Sequence, residues 1–308
     1  MKVGFIGLGT MGAPMARNLQ KGGYRLIIND LRQRAAEEHL ADGASWAASA
    51  SEVAAEADVI FTSLPEPVDV ERVALGPHGL LAAIRKDAAY FDLSTNSPIL
   101  VKRIAAAFAE KGAHMLDAPV SGGPAGAKSR KLAIWVGGDR AVFERHRAVL
   151  DAIGDQPLYL GPIGAATVAK LVHNMSGYGI ACVLAETFAL GVKAGVEPLQ
   201  LWQAVRQGAG GRRYTFDGLI DQFLPGCYDP PAFALKLAHK DVCLANDLAD
   251  DLGMPMRLCN LVRAEMTEAL NRGWAGRDSR VVMALQQERA GVRIAVDPAR
   301  LADAVAKR

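Results

Sequence analysis

Lys170 and Asn174 stand four residues apart in KLVHN, inside GAATVAKLVHNMSGYGIACVLAETFALGVKAG, a run otherwise small, apolar and poor in charge. On a helix that interval puts both side chains on one face, a turn apart. An amine and a carboxamide so placed could move a proton and orient a polar ligand. The same lysine could equally lay its stem along apolar neighbours and keep its amine in water. A second pair, Lys240–Asp241 in AHKDV, falls in a later helical run and reads as a solvated charged face.

Two glycine-rich stretches offer different chemistry. GLGTMG carries Gly7, Gly9 and Gly12 in GxGxxG spacing, closing one strand-like run and opening a helical one. The first glycine permits a tight turn, the second lets a pyrophosphate approach the backbone, and the third lets helix and strand pack closely. Asp30 closes the next strand run, where a carboxylate bonds the adenine ribose hydroxyls and repels a 2′-phosphate. The expected cofactor is therefore NAD rather than NADP, with Leu31 following Asp30 and Arg32 one position later. In DAPVSGGPAGA, Ser121, Gly122 and Gly123 follow a strand end, so a hydroxyl and bare N–H groups could cradle an anion such as a carboxylate.

The elements that must position these groups divide along the chain. Up to about residue 160, strand-like runs (KVGFIG, YRLIIND, ADVIFTSL, AAYFDLS, AHMLDAPV, KLAIWVGG and PLYLG) alternate with amphipathic segments. That alternation predicts βαβ units and a mostly parallel sheet with helices on both faces. After Gly161-Pro162 strand runs cease, and helices are expected over 164–194, 198–208, 233–252, 255–272 and 279–290. The expected architecture is α/β: a Rossmann-type NAD-binding domain over 1–162, joined by a long helix to an all-helical domain over 163–308. The tail after about 292 reads as a weak helix or a frayed end.

Composition narrows the function. The chain has 308 residues, half of them hydrophobic, with 35 basic against 33 acidic side chains and a net charge of +2. That balance gives no electrostatic footprint for nucleic acid or an anionic membrane, and neither is expected as a partner. Four cysteines without CxxC spacing and six histidines without HxxxH or HExxH spacing point to free thiols and no catalytic metal. The glycine pattern at the N-terminus argues against a secretory signal, and no apolar run reaches membrane-spanning character, so a cytoplasmic protein is expected.

Taken together, GFIGLGTMGAPMARNL, SLPEPVDV, DLSTNSP, DAPVSGG, VGGD, KLVHN and LAHKD resemble the β-hydroxyacid dehydrogenase family, which includes 3-hydroxyisobutyrate dehydrogenase and tartronate semialdehyde reductase. The likeness covers nearly the whole chain. In that family a Rossmann domain meets an all-α domain through a long helix, with nicotinamide and substrate in the cleft between them. The resemblance implies that Lys170 is the catalytic lysine, that Asn174 orients the substrate, and that Ser121, Gly122 and Gly123 hold its carboxylate. It implies cofactor contacts from Gly7, Leu8, Gly9, Thr10, Met11, Gly12, Asn29, Asp30, Leu64, Pro65 and Thr95, with Lys240 reaching in from the helical domain. The substrate would be a small hydroxy acid and the assembly a homodimer or homotetramer. His173 stands where many relatives have asparagine, and Arg130 where glycine is common. Arg212 and Arg213 fall near a region that in the family borders the substrate pocket.

The implied reaction is reversible hydride transfer between nicotinamide and the alcohol carbon of a short 3-hydroxy acid, with Lys170 relaying the proton. A basic role asks for a lysine pKa below its ordinary ~10.4, while an ammonium could act as acid and polarise a carbonyl. The rival readings are an NAD-binding sensor or scaffold without turnover, an imine reductase, and a 6-phosphogluconate-type dehydrogenase.

Overall fold

The computed structural model describes residues 1–208, 217–253 and 256–306. Arg212 and Arg213 lie outside them. The chain divides into two compact units, Met1–Val172 and His173–Arg308, and the division falls inside one long helix, Ala165–Lys193.

In the first unit nine strands form one sheet: β1 Lys2–Ile6, β2 Arg25–Asn29, β3 Ser45–Trp46, β4 Val59–Thr62, β5 Ala89–Asp92, β6 His114–Asp117, β7 Val120–Ser121, β8 Ala133–Gly137 and β9 Leu158–Gly161. Their order is β3-β2-β1-β4-β5-β6-β8-β7, with β9 paired to β8. The strands from β3 to β6 run parallel; β8 reverses against both β6 and β7, and β9 is again parallel to β8. The two-residue β3 was not among the expected strands, and AHMLDAPV splits into β6 and β7 around Ala118-Pro119.

The central strands read as unbroken apolar runs because both faces are covered. Phe5, Phe61 and Phe91 sit in register on β1, β4 and β5. Their ring centroids lie 6.2 and 5.5 Å apart, and together they form the floor of one core. Ile6, Ile60 and Tyr90 point to the other face, against Val53, Val101, Ile104 and Phe108. Two-sided burial fixes the register, since a one-residue slip would exchange the two sets.

One carboxylate ties this sheet to the long helix. Asp117, at the end of β6 and 1% exposed, accepts from Gly164 N at 2.8 Å on Oδ1. Its Oδ2 accepts from Thr167 N at 2.7 Å and Thr167 Oγ1 at 2.8 Å. The first turn of a helix leaves N–H groups without intrahelical partners and carries positive dipole, so a distant aspartate serves as its cap. Gly137 on β8 leaves room for the carboxylate, because a Cβ there would lie 2.5 Å from Asp117 Oδ1.

The helices beyond are Pro198–Gln207, Leu235–Asp251, Arg257–Asn271, Val282–Ala290 and Pro298–Ala306. No strand follows Gly161 among the described residues, and the tail is a formed helix held by Asp297, which accepts from Ala299 N and Arg300 N. In the helix Leu235–Asp251 the buried stripe runs Leu235, Ala238, Val242, Ala245 and Ala249, with Asp241 and Asn246 inside it. Among the described residues no helix is long and apolar enough to cross a membrane.

Arg130 ends the helix Gly123–Ser129 with φ +61°, a left-handed conformation that glycine adopts at far lower cost. A glycine there would adopt that geometry without the cost.

His146, on the helix Arg140–Asp151, is 6% exposed; neither ring nitrogen has a hydrogen-bond partner, and the ring meets Phe91 edge-on at 6.0 Å. Burial, then the neighbouring Arg145 charge, lowers its pKa. The unfolded chain therefore binds the proton more tightly, so this contribution to stability is complete above about pH 6.5 and is lost as pH falls below it. Thermal melts between pH 7.5 and 5.5 should show a falling Tm. In His146→Leu the fall should be shallower, with a higher Tm at pH 5.5; an unchanged slope would remove His146 from the account.

Candidate active site

The glycine turn after β1 is shaped by contacts that differ at each glycine. Gly7 has φ +93° and donates to Asn29 O at 3.0 Å; a Cβ there would lie 2.4 Å from Ser63 O. At Gly12, the first residue of the helix Gly12–Lys21, a Cβ would sit 1.8 Å from Gly7 O. Both glycines are thus required by the protein's own packing. Gly9 is not, since a Cβ there meets nothing within 4 Å. Bare backbone facing open space beside a helix N-terminus is what a pyrophosphate needs, and this loop fits a dinucleotide. Thr10 and Met11 complete the turn between Gly9 and the helix.

Asp30 grips this turn from β2. Its Oδ2 accepts from Leu8 N at 2.7 Å, and its Oδ1 accepts from Arg32 N at 2.8 Å. Arg32 Nε lies 3.7 Å from the same oxygen, although its side chain is 74% exposed, and Leu31 is exposed. Asn29 donates from Nδ2 to Ala47 O at 2.9 Å, which sets β2 against the segment after β3.

A second buried acid organises the loops after β4 and β5. Asp92 Oδ1 accepts from Thr62 Oγ1 at 2.9 Å and Ser94 N at 3.1 Å, and its Oδ2 from Asn96 Nδ2 at 2.8 Å. Ser94 Oγ in turn accepts from Leu64 N at 3.0 Å. The loop bearing Leu64 and Pro65 is thereby fastened to the loop bearing Thr95. Burial pushes the Asp92 carboxyl up, against the hydrogen bonds that hold it down.

Ser121 ends β7, and Gly122 and Gly123 follow with φ +137° and +61°. A Cβ on Gly123 would meet nothing within 4 Å, so this backbone too faces open space. Asn18 Nδ2 donates to Ala127 O at 2.7 Å and joins the helix of the first glycine loop to the helix after the second. Lys170 is half-buried, one turn beyond the Thr167 that Asp117 caps.

In the helical unit Asn174 is half-buried and donates from Nδ2 to Asp241 Oδ2. Lys240 Nζ lies 2.9 Å from Asp241 Oδ1, with side chains only 13% and 1% exposed. The pair expected on a solvated face is therefore largely out of water. Asn174 and Lys240, predicted separately, are linked by one carboxylate. Asp92 and Asp117 were given no role from the sequence, and Asp241 only that of a charge on a solvated face. What marks Asp92 and Asp117 is an acid embedded in an apolar run, which is expensive to bury unless bonded.

Comparison with known proteins fits this arrangement. Residues 2–161 match the NAD binding domain of 6-phosphogluconate dehydrogenase, and residues 164–285 match the NAD-binding region of NADP-dependent 3-hydroxyisobutyrate dehydrogenase. The chain belongs to the β-hydroxyacid dehydrogenase family. It is 36% identical over 295 residues to 2-(hydroxymethyl)glutarate dehydrogenase of Eubacterium barkeri, covering 96% of this chain and 97% of that protein. It is 38% identical over 290 residues to NAD-dependent L-serine dehydrogenase of Pseudomonas aeruginosa, covering 92% and 97%. Among solved structures, Mycobacterium tuberculosis 3-hydroxyisobutyrate dehydrogenase with L-serine aligns with a TM-score of 0.82 at 30% identity, covering 92% of this chain and 98% of that one. As a member of this family the chain is an NAD-binding oxidoreductase acting on CH–OH groups.

The two kinds of glycine separate experimentally. Gly9→Ala should keep the wild-type melting temperature yet weaken NAD binding by about tenfold or more, because the added methyl enters only the ligand's space. Gly12→Ala should lower stability by about 1–3 kcal/mol, since backbone must move. Melting curves and NAD titration of both variants check the pattern, and the reverse pattern would refute it.

Proposed function

We propose that this chain interconverts a short 3-hydroxy acid and its semialdehyde by hydride exchange with NAD, with Lys170 as the general acid/base. One observation carries the assignment. The strand that ends at Asp117 leads into Ser121-Gly122-Gly123, and the same Asp117 carboxylate holds the first turn of the helix bearing Lys170. Asp117 thus fixes the start of the helix that carries the amine and precedes the anion cradle along the chain, which favours fixed distances at the reacting carbon.

In the oxidative direction Lys170 Nζ takes the proton of the substrate hydroxyl; in the reductive direction it returns that proton to the developing alkoxide. Ser121 Oγ and the N–H groups of Gly122 and Gly123 hold the carboxylate, and Asn174 orients the remaining polar group. The bound nicotinamide supplies the hydride chemistry. Gly7, Leu8, Gly9, Thr10, Met11 and Gly12 receive the pyrophosphate and Asn29 and Asp30 the adenine ribose. Leu64, Pro65, Thr95 and Lys240 are assigned to the rest of the cofactor.

Asp30 supports NAD over NADP, because its charge opposes a 2′-phosphate and its Arg32 neighbour is already paired to it. The exposed Val168, Val172, Ile180 and Val183 on the long helix support a homodimer or homotetramer. The absence of disulfides among the described cysteines agrees with a reducing, cytoplasmic setting.

Replacing Lys170 by Ala should leave NAD affinity intact and lower kcat by at least about a hundredfold. Near-normal turnover of short hydroxy acids by that variant would end the assignment. For Asp30→Ala, the NAD-over-NADP ratio of kcat/KM should fall by about tenfold or more; a wild-type enzyme already preferring NADP would contradict the role given to Asp30.

A further inference from the structure

The helical unit contains a polar knot that the proton relay does not use. Asp241 lies in the buried stripe of its helix, 2% exposed. As a carboxylate it can only accept hydrogen bonds. Asn174 Nδ2 donates to its Oδ2, and Lys240 Nζ lies 2.9 Å from its Oδ1. That amine provides charge without an aligned hydrogen bond to Oδ1. The phenol of Tyr178 is also hydrogen-bonded to Asp241; burial first, and then the Asp241 charge, raise its pKa well above the ordinary tyrosine value. The phenol therefore keeps its proton and acts as a donor. Asn174 and Tyr178 are four residues apart, so Asp241 fastens two successive turns of the long helix.

A carboxamide has one donor end and one acceptor end of nearly equal shape, and its neighbours decide which way it points. Turning Asn174 over would press its oxygen against a buried carboxylate, acceptor against acceptor, and would remove a donor from a charge that has left water. We propose that Asp241 is a positioning residue that locks the Asn174 amide with Oδ1 turned away from it. The acceptor end of Asn174 is then left for the substrate, and the group received there is a hydrogen-bond donor, a hydroxyl or an ammonium. This rests on the activity proposed above and narrows its substrates to short 3-hydroxy acids in which a donor at the reacting carbon or its neighbour meets Asn174.

The test uses the full-length enzyme with NAD and a panel of short 3-hydroxy acids. Asp241→Asn keeps the shape but lets the Asn174 amide turn. KM for the hydroxy acid should rise about tenfold, the equivalent of one hydrogen bond. Tyr178→Phe removes one donor and leaves Asp241 in place, and should raise that KM by about two- to fivefold. The deciding readout is the side-chain amide NMR signal of Asn174, identified by its loss in Asn174→Ala. One of its two N–H protons should resonate far from the other in the wild type and shift in Asp241→Asn, or in Tyr178→Phe should Asp241→Asn not fold. An unmoved signal overturns the proposal whatever the kinetics. If the wild type oxidises no short hydroxy acid, the proposed activity falls while the signal still decides what Asp241 does.

Discussion

The capping of the long helix by Asp117 is the constraint from which the arrangement of the first unit follows. Three donors from the start of that helix converge on one carboxylate at the end of β6. A charge so fully removed from water is stable only while its donors remain aimed at it. The helix start cannot rotate or slide without uncovering that charge. Whatever Lys170 does, it does from a helix whose first turn is pinned to the sheet.

The same device recurs. Asp92 gathers Thr62, Ser94 and Asn96 beneath the Leu64 and Thr95 loops, and Asp30 holds the glycine turn through Leu8 N. Each aspartate stands at or just after the carboxyl end of a parallel strand, where an open α/β sheet leaves its crevice for ligands. Loops there carry little core of their own, and ionic hydrogen bonds to backbone N–H groups give them rigidity that apolar packing cannot. The apolar layers around Phe5, Phe61 and Phe91 set the strands, and the acids set the loops.

How much of this was legible in the sequence differs with the kind of signal. GLGTMG followed by Asp30 could be read because strand, turn, helix and acid come in fixed order, and because Gly7 and Gly12 answer to local sterics. The long helix was legible as an apolar run closed by glycines. The reversal of β8 was not, since pairing direction depends on partners distant in the chain and leaves no periodicity. Nor was the short β3, whose two residues carry no pattern. Spacing alone pointed to a solvated face for Lys240 and Asp241, because two charges in sequence resemble a wet surface, whereas the family resemblance implied a cofactor contact for Lys240. Only the stripe Ala238, Val242, Ala245 reveals that Asp241 stands on the buried side of its helix. The handedness of the backbone at Arg130 was equally hidden, because arginine gives no hint of a positive φ.

The double engagement of Asp30 has an implication for how cofactor choice can change in such a protein. One carboxylate tethers the glycine turn proposed to receive the diphosphate and is also the group proposed to read the ribose. Exchanging it for a neutral residue to admit a phosphorylated nucleotide also releases Leu8 N from its acceptor. A route to the alternative coenzyme thus calls for a compensating acceptor beside the loop, and selection for one trait drags the other with it.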